Sequence, residues 1–312
     1  MLKYYVRNGD DEAFRQLPGY QDQRDGTWVH GEQPQVSELD TLTQQFGLDR
    51  NILRDVMDKD ELPRLEVSDG SLYVFFRSIL RTKHGEIDSA PLLAVLTPNA
   101  FVSLSLTNAI SDQKIATAAH GITTEDRGGL LLSTFTAILT DYEDSIKRTG
   151  RYIKDTGHRL KTHEVDNSDF IHFVTVEDNL GIYTLNLTSM LTVAERIRDN
   201  KTEHLSDDHI ESINDIILHV RQLLSSTQAL TQTLTSIRNA YSTIANNNLN
   251  LRMKKLTVLT VLIALPNVFY GMYGMNVILP FQDSAWAYAS IVGFTVVLIL
   301  LVYTLAKRFR LF

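Results

Sequence analysis

The sequence predicts an α+β cytosolic domain followed by a long stalk helix and two C-terminal transmembrane helices. Three observations carry this. The first 125 or so of the 312 residues mix apolar, β-branched segments with segments of helical spacing. Residues 182–265 contain neither glycine nor proline. The C-terminal end holds two uncharged runs, 256–282 and 284–306, separated by Asp283 alone. Each run is long enough for a hydrocarbon core of ~30 Å, which takes about 20 helical residues.

Composition alone would mislead. With 21% charged and 44% hydrophobic residues the chain would pass for a soluble protein; the uneven placement of the apolar residues decides otherwise. There is no cysteine, which excludes a disulfide framework and a thiolate metal site. The start "MLKYYVRNGDDEAF" has no apolar core of a signal peptide. No basic patch with interleaved aromatics is present, so no nucleic-acid partner is expected.

Residues 1–125 read as the cytosolic α/β domain. "VSELDTLTQQFGL" and "DRNILRDVMDKDEL" have helical spacing, with Ser37 and Asp49 as expected N-caps. "SLYVFFRSILR" and "PLLAVLTPNAFVSLSL" read as neighbouring strands around a turn-rich segment. Residues 126–204 read as cytosolic helices packing on the stalk. Leu131, Phe135, Ile138, Tyr142 and Ile146 share one face of the first, and a second runs from about Asp169 to Asp199.

Residues 205–275 read as one stalk helix continuing as the first transmembrane helix. Ile213, Ile217, Val220, Leu224, Thr227, Leu230, Leu234, Ile237, Tyr241 and Ile244 recur at steps of three and four. That 3.5-residue period is typical of coiled-coil packing. A helix of this length spans roughly 100 Å at 1.5 Å per residue. It could dock on its own domain; the expectation is a stalk that bundles with copies of itself. Residues 276–284 then form an extracytoplasmic loop, 285–306 a second transmembrane helix and 307–312 a basic cytosolic tail.

The flanks give the orientation. Arg252, Lys254 and Lys255 precede the first span, Lys307, Arg308 and Arg310 follow the second, and the loop has no Lys or Arg. By the positive-inside rule both termini are cytoplasmic.

The first span is not uniformly apolar. Thr257, Thr260, Ala264, Asn267, Gly271 and Gly274 form one polar or small stripe, and inward it reaches Met253 and Asn250. Leu259, Leu262, Ile263, Phe269 and Tyr270 are expected on the opposite face. Close helix packing explains the small residues. It explains Asn267 poorly, because an amide at membrane depth needs a partner or water. Two helices cannot enclose a pathway, so a stripe that lines one requires several chains around an axis. At its outer end sit Gly274, Met275 and Asn276. Their neutral oxygens suit a hard cation that keeps its waters.

The motif Tyr273-Gly274-Met275-Asn276, ending the first of two C-terminal spans and followed by a short loop and a basic C-terminus, resembles the CorA family of magnesium channels. The resemblance covers the whole chain. It implies a funnel-shaped homopentamer in the cell inner (plasma) membrane, lined by the first membrane helix and selective at Gly274, Met275 and Asn276. Counting inward without gaps, it places pore positions on Gly271, Asn267, Ala264, Thr260, Leu256, Met253 and Asn250. Met253 and Leu256 would form a hydrophobic gate, with Thr257 next in register. It also implies a regulatory cytosolic Mg²⁺ site between subunits, on Asp215 with Asp69 or Asp88. Two departures stand out: Pro266 lies one residue closer to the motif than in the family pattern, and the outer loop has Asp283 as its only acid.

The resulting expectation is a passive Mg²⁺ uptake channel with Mg²⁺ as cargo and regulator, no organic cofactor and no nucleotide. No Gly-Lys-Ser/Thr phosphate loop is present. Alternatives are transport of Co²⁺, Ni²⁺ or Zn²⁺ within the same family, or a non-conducting two-span sensor or scaffold. An enzyme is not expected, since the nine histidines show no metal-ligand spacing and no catalytic dyad stands out.

Overall fold

The structure is a computed structural model and describes residues 1–9, 11–19, 26–82, 85–159, 167–199, 205–276 and 284–308. It divides into two units, Met1–Ser236 and Ile237–Phe312.

The first unit is built on a seven-stranded sheet. Its elements run β1 (Leu2–Val6), β2 (Arg15–Leu17), β3 (Thr27–Glu32), α1 (Val36–Phe46), α2 (Arg50–Asp55), β4 (Arg64–Ser68), β5 (Ser71–Arg81), β6 (Ile87–Leu96) and β7 (Ala100–Ser105). Then follow α3 (Asp112–Ala118), α4 (Arg127–Arg159), α5 (Asn167–Asp199) and the start of α6 (Asp207–Tyr273). The strand order is β2-β1-β3-β7-β6-β5-β4. Only β3 and β7 pair in parallel; the other neighbours are antiparallel.

β5 and β6 are buried along almost their whole length. That is why residues 72–76 and 90–96 read as apolar runs and not as alternations: each face meets a helical layer. On one face Val29, Tyr73, Phe75, Leu93, Val95 and Val102 pack with Leu39 and Leu42 of α1 and Ile52 and Leu53 of α2. On the other face Phe76 meets Phe135 of α4 with ring centroids 4.6 Å apart. The stripe Leu131, Phe135, Ile138, Tyr142 and Ile146 is buried there. Asn179 of α5 bonds the end of the β5–β6 hairpin, accepting from the Ile87 N–H at 2.8 Å and donating to the Gly85 carbonyl at 3.0 Å.

Asp49 caps α2 as expected, accepting from the Asn51 and Ile52 amides. Ser37 does not cap α1. The helix starts at Val36 with Gln35 as N-cap, and the Gln35 N–H donates to the Glu38 carboxylate at 2.9 Å. The glutamate three residues on satisfies the cap, so the serine falls inside the first turn. The short strands β1 to β4 were not anticipated, and the partner of β3 lies some seventy residues away in the chain.

The stalk stripe needs a correction. Ile213, Ile216, Ile217, Val220, Leu223, Thr227 and Leu234 are buried inside the first unit. This part of α6 docks on its own domain, with a stripe wider than a 3.5-period seam. Arg221 of α6 pairs with Glu195 of α5 at 2.7 Å, and His219 lies 3.4 Å from Glu143 of α4.

The second unit holds the rest of α6 and α7 (Ala287–Arg308). Both helices are long and apolar enough to cross a membrane. α7 is exposed along much of its apolar surface, with Trp286 and Tyr288 at one end and Lys307 and Arg308 at the other. That arrangement matches an aromatic belt and a positive flank.

Candidate functional site

Packing of α7 selects one face of the membrane part of α6. Val258, Leu262, Leu265, Pro266 and Phe269 are covered to differing degrees, and Phe269 meets Phe294 edge-on at 5.1 Å. Thr257, Thr260, Ala264, Asn267, Gly271 and Gly274 are all exposed. At about 100° per residue the two faces lie on opposite sides of the helix. The expected opposite face is therefore split: Leu262 and Phe269 turn towards α7, whereas Leu259, Ile263 and Tyr270 are exposed. Farther inward Asn250, Met253 and Leu256 are also exposed, the last two being more than half accessible.

The threonines on the stripe have defined hydrogen bonds. Thr257 Oγ1 donates to the Met253 carbonyl and Thr260 Oγ1 to the Leu256 carbonyl, each at 2.9 Å. With the donor used within the helix, each hydroxyl presents only lone pairs outward. α6 runs through Pro266 without a break. The missing amide leaves one carbonyl a turn earlier without its helical donor.

α6 ends at Tyr273, where the Gly274 N–H donates to the Tyr270 carbonyl at 3.0 Å and the Met275 N–H to Met272 at 3.2 Å. The helix tightens and stops just before Asn276. The last carbonyls of a helix carry the negative end of its dipole, which favours a cation. A Cβ on Gly271 would meet nothing within 4 Å, and on Gly274 only the Tyr270 and Gly271 carbonyls at 3.4 and 3.6 Å. Packing within the chain does not demand either glycine; without side chains they leave these carbonyls unshielded. The expected outer loop with Asp283 and the end of the basic tail lie outside the described residues.

In the first unit Asp215 lines an open cleft of about 700 Å³ with Asp126, Asp208, His209 and His219. Asp69 sits in the β4–β5 turn at φ 48°, a left-handed conformation that aspartate tolerates. Asp88 is held by Lys59 at 2.8 Å, and that hydrogen bond keeps its carboxyl below the usual range. Among the described residues of one chain, no three His, Asp or Glu side chains gather as a metal site. Asp215, Asp69 and Asp88 are thus not brought together within the chain.

One pair escaped sequence reasoning. His209 Nε2 lies 2.8 Å from Asp126 Oδ1, and His209 Nδ1 accepts from the Ser206 N–H at 3.1 Å. The signal was the spacing Ser206 to His209, a capping box with histidine in the usual glutamate position.

Comparison with known proteins gives a consistent picture. The family described as "CorA-like Mg2+ transporter protein" matches residues 23–308. The "Cobalt/magnesium transport protein CorA" of Methanocaldococcus jannaschii is 21% identical over 291 residues, covering 90% of each chain. The complete structure of the CorA magnesium transporter from M. jannaschii superposes with a TM-score of 0.83 at 18% identity, over 99% of this chain and 98% of that one. The ZntB cytoplasmic domain from Vibrio parahaemolyticus covers 78% of this chain and 98% of that domain, with a TM-score of 0.61 at 10% identity. At these identities the two structures speak for the fold: an α+β N-terminal domain, a long helix and two C-terminal apolar helices.

Proposed function

The chain belongs to the CorA-like Mg²⁺ transporter protein family, and we propose that it is a passive Mg²⁺ uptake channel: a homopentamer in the cell inner membrane, both termini cytoplasmic, selecting hydrated Mg²⁺ at Gly274, Met275 and Asn276. The observation that carries this reading is the uncovered stripe of α6. Thr257, Thr260, Ala264, Asn267 and Gly271 face away from α7 and lead to a helix C-terminus whose carbonyls no glycine side chain shields. A scaffold has no use for an uncovered amide at membrane depth; a pore shared between copies does.

Mg²⁺ releases its waters reluctantly and binds through them. A ring of Asn276 amide oxygens, with the carbonyls at the end of α6, holds the hydration shell without stripping it. Asn267 and the threonine lone pairs continue a neutral, hydrogen-bonding wall inward. Met253 and Leu256 then form an apolar ring that closes by dewetting. A divalent ion crossing the full potential gains about 4.6 kcal/mol per 100 mV, so no nucleotide is needed.

Regulation follows from the cytosolic carboxylates. Mg²⁺ bound by Asp215 and an acid of the neighbouring subunit, Asp69 first and Asp88 second, stabilises the closed ring when cytosolic Mg²⁺ is plentiful. Asp69 is the better partner because Asp88 must first release Lys59. Co²⁺ is a second cargo, favoured by the name of the M. jannaschii relative, a cobalt/magnesium transport protein. Potential-driven uptake into proteoliposomes tests the reading: Mg²⁺ influx is expected without nucleotide and inhibited by Mg²⁺ on the cytosolic-domain side, and a chain that carries neither Mg²⁺ nor Co²⁺ would leave the scaffold reading.

A further inference from the structure

A second cleft, of about 720 Å³, lies between α3 and the β1–β2 edge of the sheet. Its notable residue is Arg7, only 8% exposed. The backbone there is fixed by two hydrogen bonds to Thr124: the Arg7 N–H donates to Thr124 Oγ1 at 3.2 Å, and the Arg7 carbonyl accepts from the Thr124 N–H at 3.1 Å. The guanidinium is fixed as well. Nε donates to the Asp11 carbonyl and Nη1 to the Ala119 carbonyl, both at 3.2 Å, and the group lies 5.4 Å over the Phe14 ring.

None of these partners is a carboxylate, and Nη2 has no hydrogen-bond partner among the described residues. The other cation of the cleft, Lys3, is neutralised by Asp112 at 2.5 Å. Arg7 is thus a buried, rigidly held cation with no carboxylate partner among the described residues. Burying a charge costs unless a counter-charge is supplied. A planar guanidinium with free N–H groups matches two oxygens of one anion. Around it the cleft is lined by the hydrogen-bonding side chains of Gln16, Gln113, Thr117 and His120, with Glu12 as its one acid besides Asp112 among the described residues.

We propose that this cleft binds the oxyanion group of a small solute, a phosphate or a carboxylate, on Arg7. The Ala119 contact makes Arg7 a cap on the last turn of α3 as well, and the site uses that contact to hold the guanidinium in place. The proposal is independent of the ion pathway.

The test is calorimetric titration of the full-length, detergent-solubilised chain in Mg²⁺-free buffer at constant ionic strength, with inorganic phosphate and with acetate. Saturable binding of about one ion per chain is expected. Phosphate binding alone assigns a phosphate group, and acetate binding alone a carboxylate. Arg7→Gln should abolish binding but also loses the α3 cap, so Gln113→Glu is the decisive variant. Gln113 is exposed on the cleft wall, and a glutamate there offers Arg7 a built-in counter-charge. It should weaken phosphate or acetate binding about tenfold or more and raise the melting temperature without ligand. No saturable binding by the wild type, or unchanged affinity in Gln113→Glu, overturns the proposal.

Discussion

His209 Nε2 and Asp126 Oδ1 lie 2.8 Å apart, and through this contact the amino end of α6 is tied to the amino end of α4. Asp126 Oδ1 also caps α4, accepting from the Gly129 N–H at 2.9 Å. His209 Nδ1 accepts the Ser206 N–H at 3.1 Å, which turns Nε2 towards Asp126. One carboxylate and one imidazole therefore cap two helices, one of which continues unbroken to Tyr273.

Gly128 is what lets the two ends meet. A Cβ there would lie 2.5 Å from the His209 ring, so Gly128→Ala should push the imidazole off Asp126. The expected cost is about 1 kcal/mol, the usual worth of a helix cap, seen as a lower melting temperature of the purified chain. His209→Ala should cost a similar amount. The double variant should cost little more than either single one, because both remove the same contact. Additive losses would mean that the contact carries no stability.

A pH dependence follows from the buried histidine under the sheet. His30 is fully buried. Burial pushes its imidazole below the ordinary value, outweighing the attraction of Asp112 and Glu32. Its Nε2 is 3.4 Å from Glu32, close enough for an ion pair but without hydrogen-bond geometry, so the neutral form is the one to expect. The unfolded chain then binds a proton below about pH 6.5 that the folded chain refuses. Stability should fall as pH drops below 6.5 and level off under the folded value. In His30→Gln that fall should be shallower in pH-dependent denaturation; an identical slope would assign it to other groups.

Asp112 also shifts downward, which in a carboxyl favours the charged form. Burial raises it, but hydrogen bonds from Lys3 and Tyr5 prevail and hold it below the usual carboxylate range. Its stabilising contribution is present above about pH 4 and is lost as pH falls through the folded value. Asp112→Asn should therefore lower the melting temperature at pH 7 and converge with the wild type in strong acid. A constant difference across that range would show that charge is not the cause.

At the inner constriction, Leu256→Asp should leak ions from a resting channel, since an acid in the ring hydrates it. Proteoliposomes loaded with high internal Mg²⁺ measure this directly. If the variant stays closed, the closing ring is elsewhere, with Thr257 the neighbouring register.

Asp215→Ala should weaken Mg²⁺ protection of the purified oligomer from proteolysis, and Asp215→Lys should give protection without Mg²⁺ by pairing with the facing acid. Protection of Asp215→Ala at the wild-type Mg²⁺ concentration would move the stalk ligand to Asp207 or Asp208.

The fold was most legible where one physical cause acts alone. Two uncharged runs can only be buried in lipid or protein, and β5 reads as a strand because both its faces are covered. The stalk was harder. The step of three and four through Ile213, Val220 and Thr227 suits docking on α4 and α5 as well as self-association, and the domain faces that cover it are distant in sequence. β1 and β3 were hidden for the same reason, since their pairing is non-local and β3 carries His30 and Gly31. Along α6 the spacing of Thr257, Thr260, Ala264 and Asn267 was readable, because a helix has a fixed period. The exact face taken by α7 was not, because Leu259 and Leu262 are equally apolar. Carboxylates such as Asp69 and Asp215 carry no local signal of a partner on another chain.

The central claim rests on Asn276, and Mg²⁺ uptake by Asn276→Ala proteoliposomes tests it most directly. The substitution removes only the amide, and Asn276 lies beyond the end of α6, so the oligomer should assemble as the wild type does on size-exclusion chromatography. Mg²⁺ influx under an inside-negative potential should then be abolished. Influx close to wild type in an intact Asn276→Ala oligomer would contradict selection of hydrated Mg²⁺ at Gly274, Met275 and Asn276.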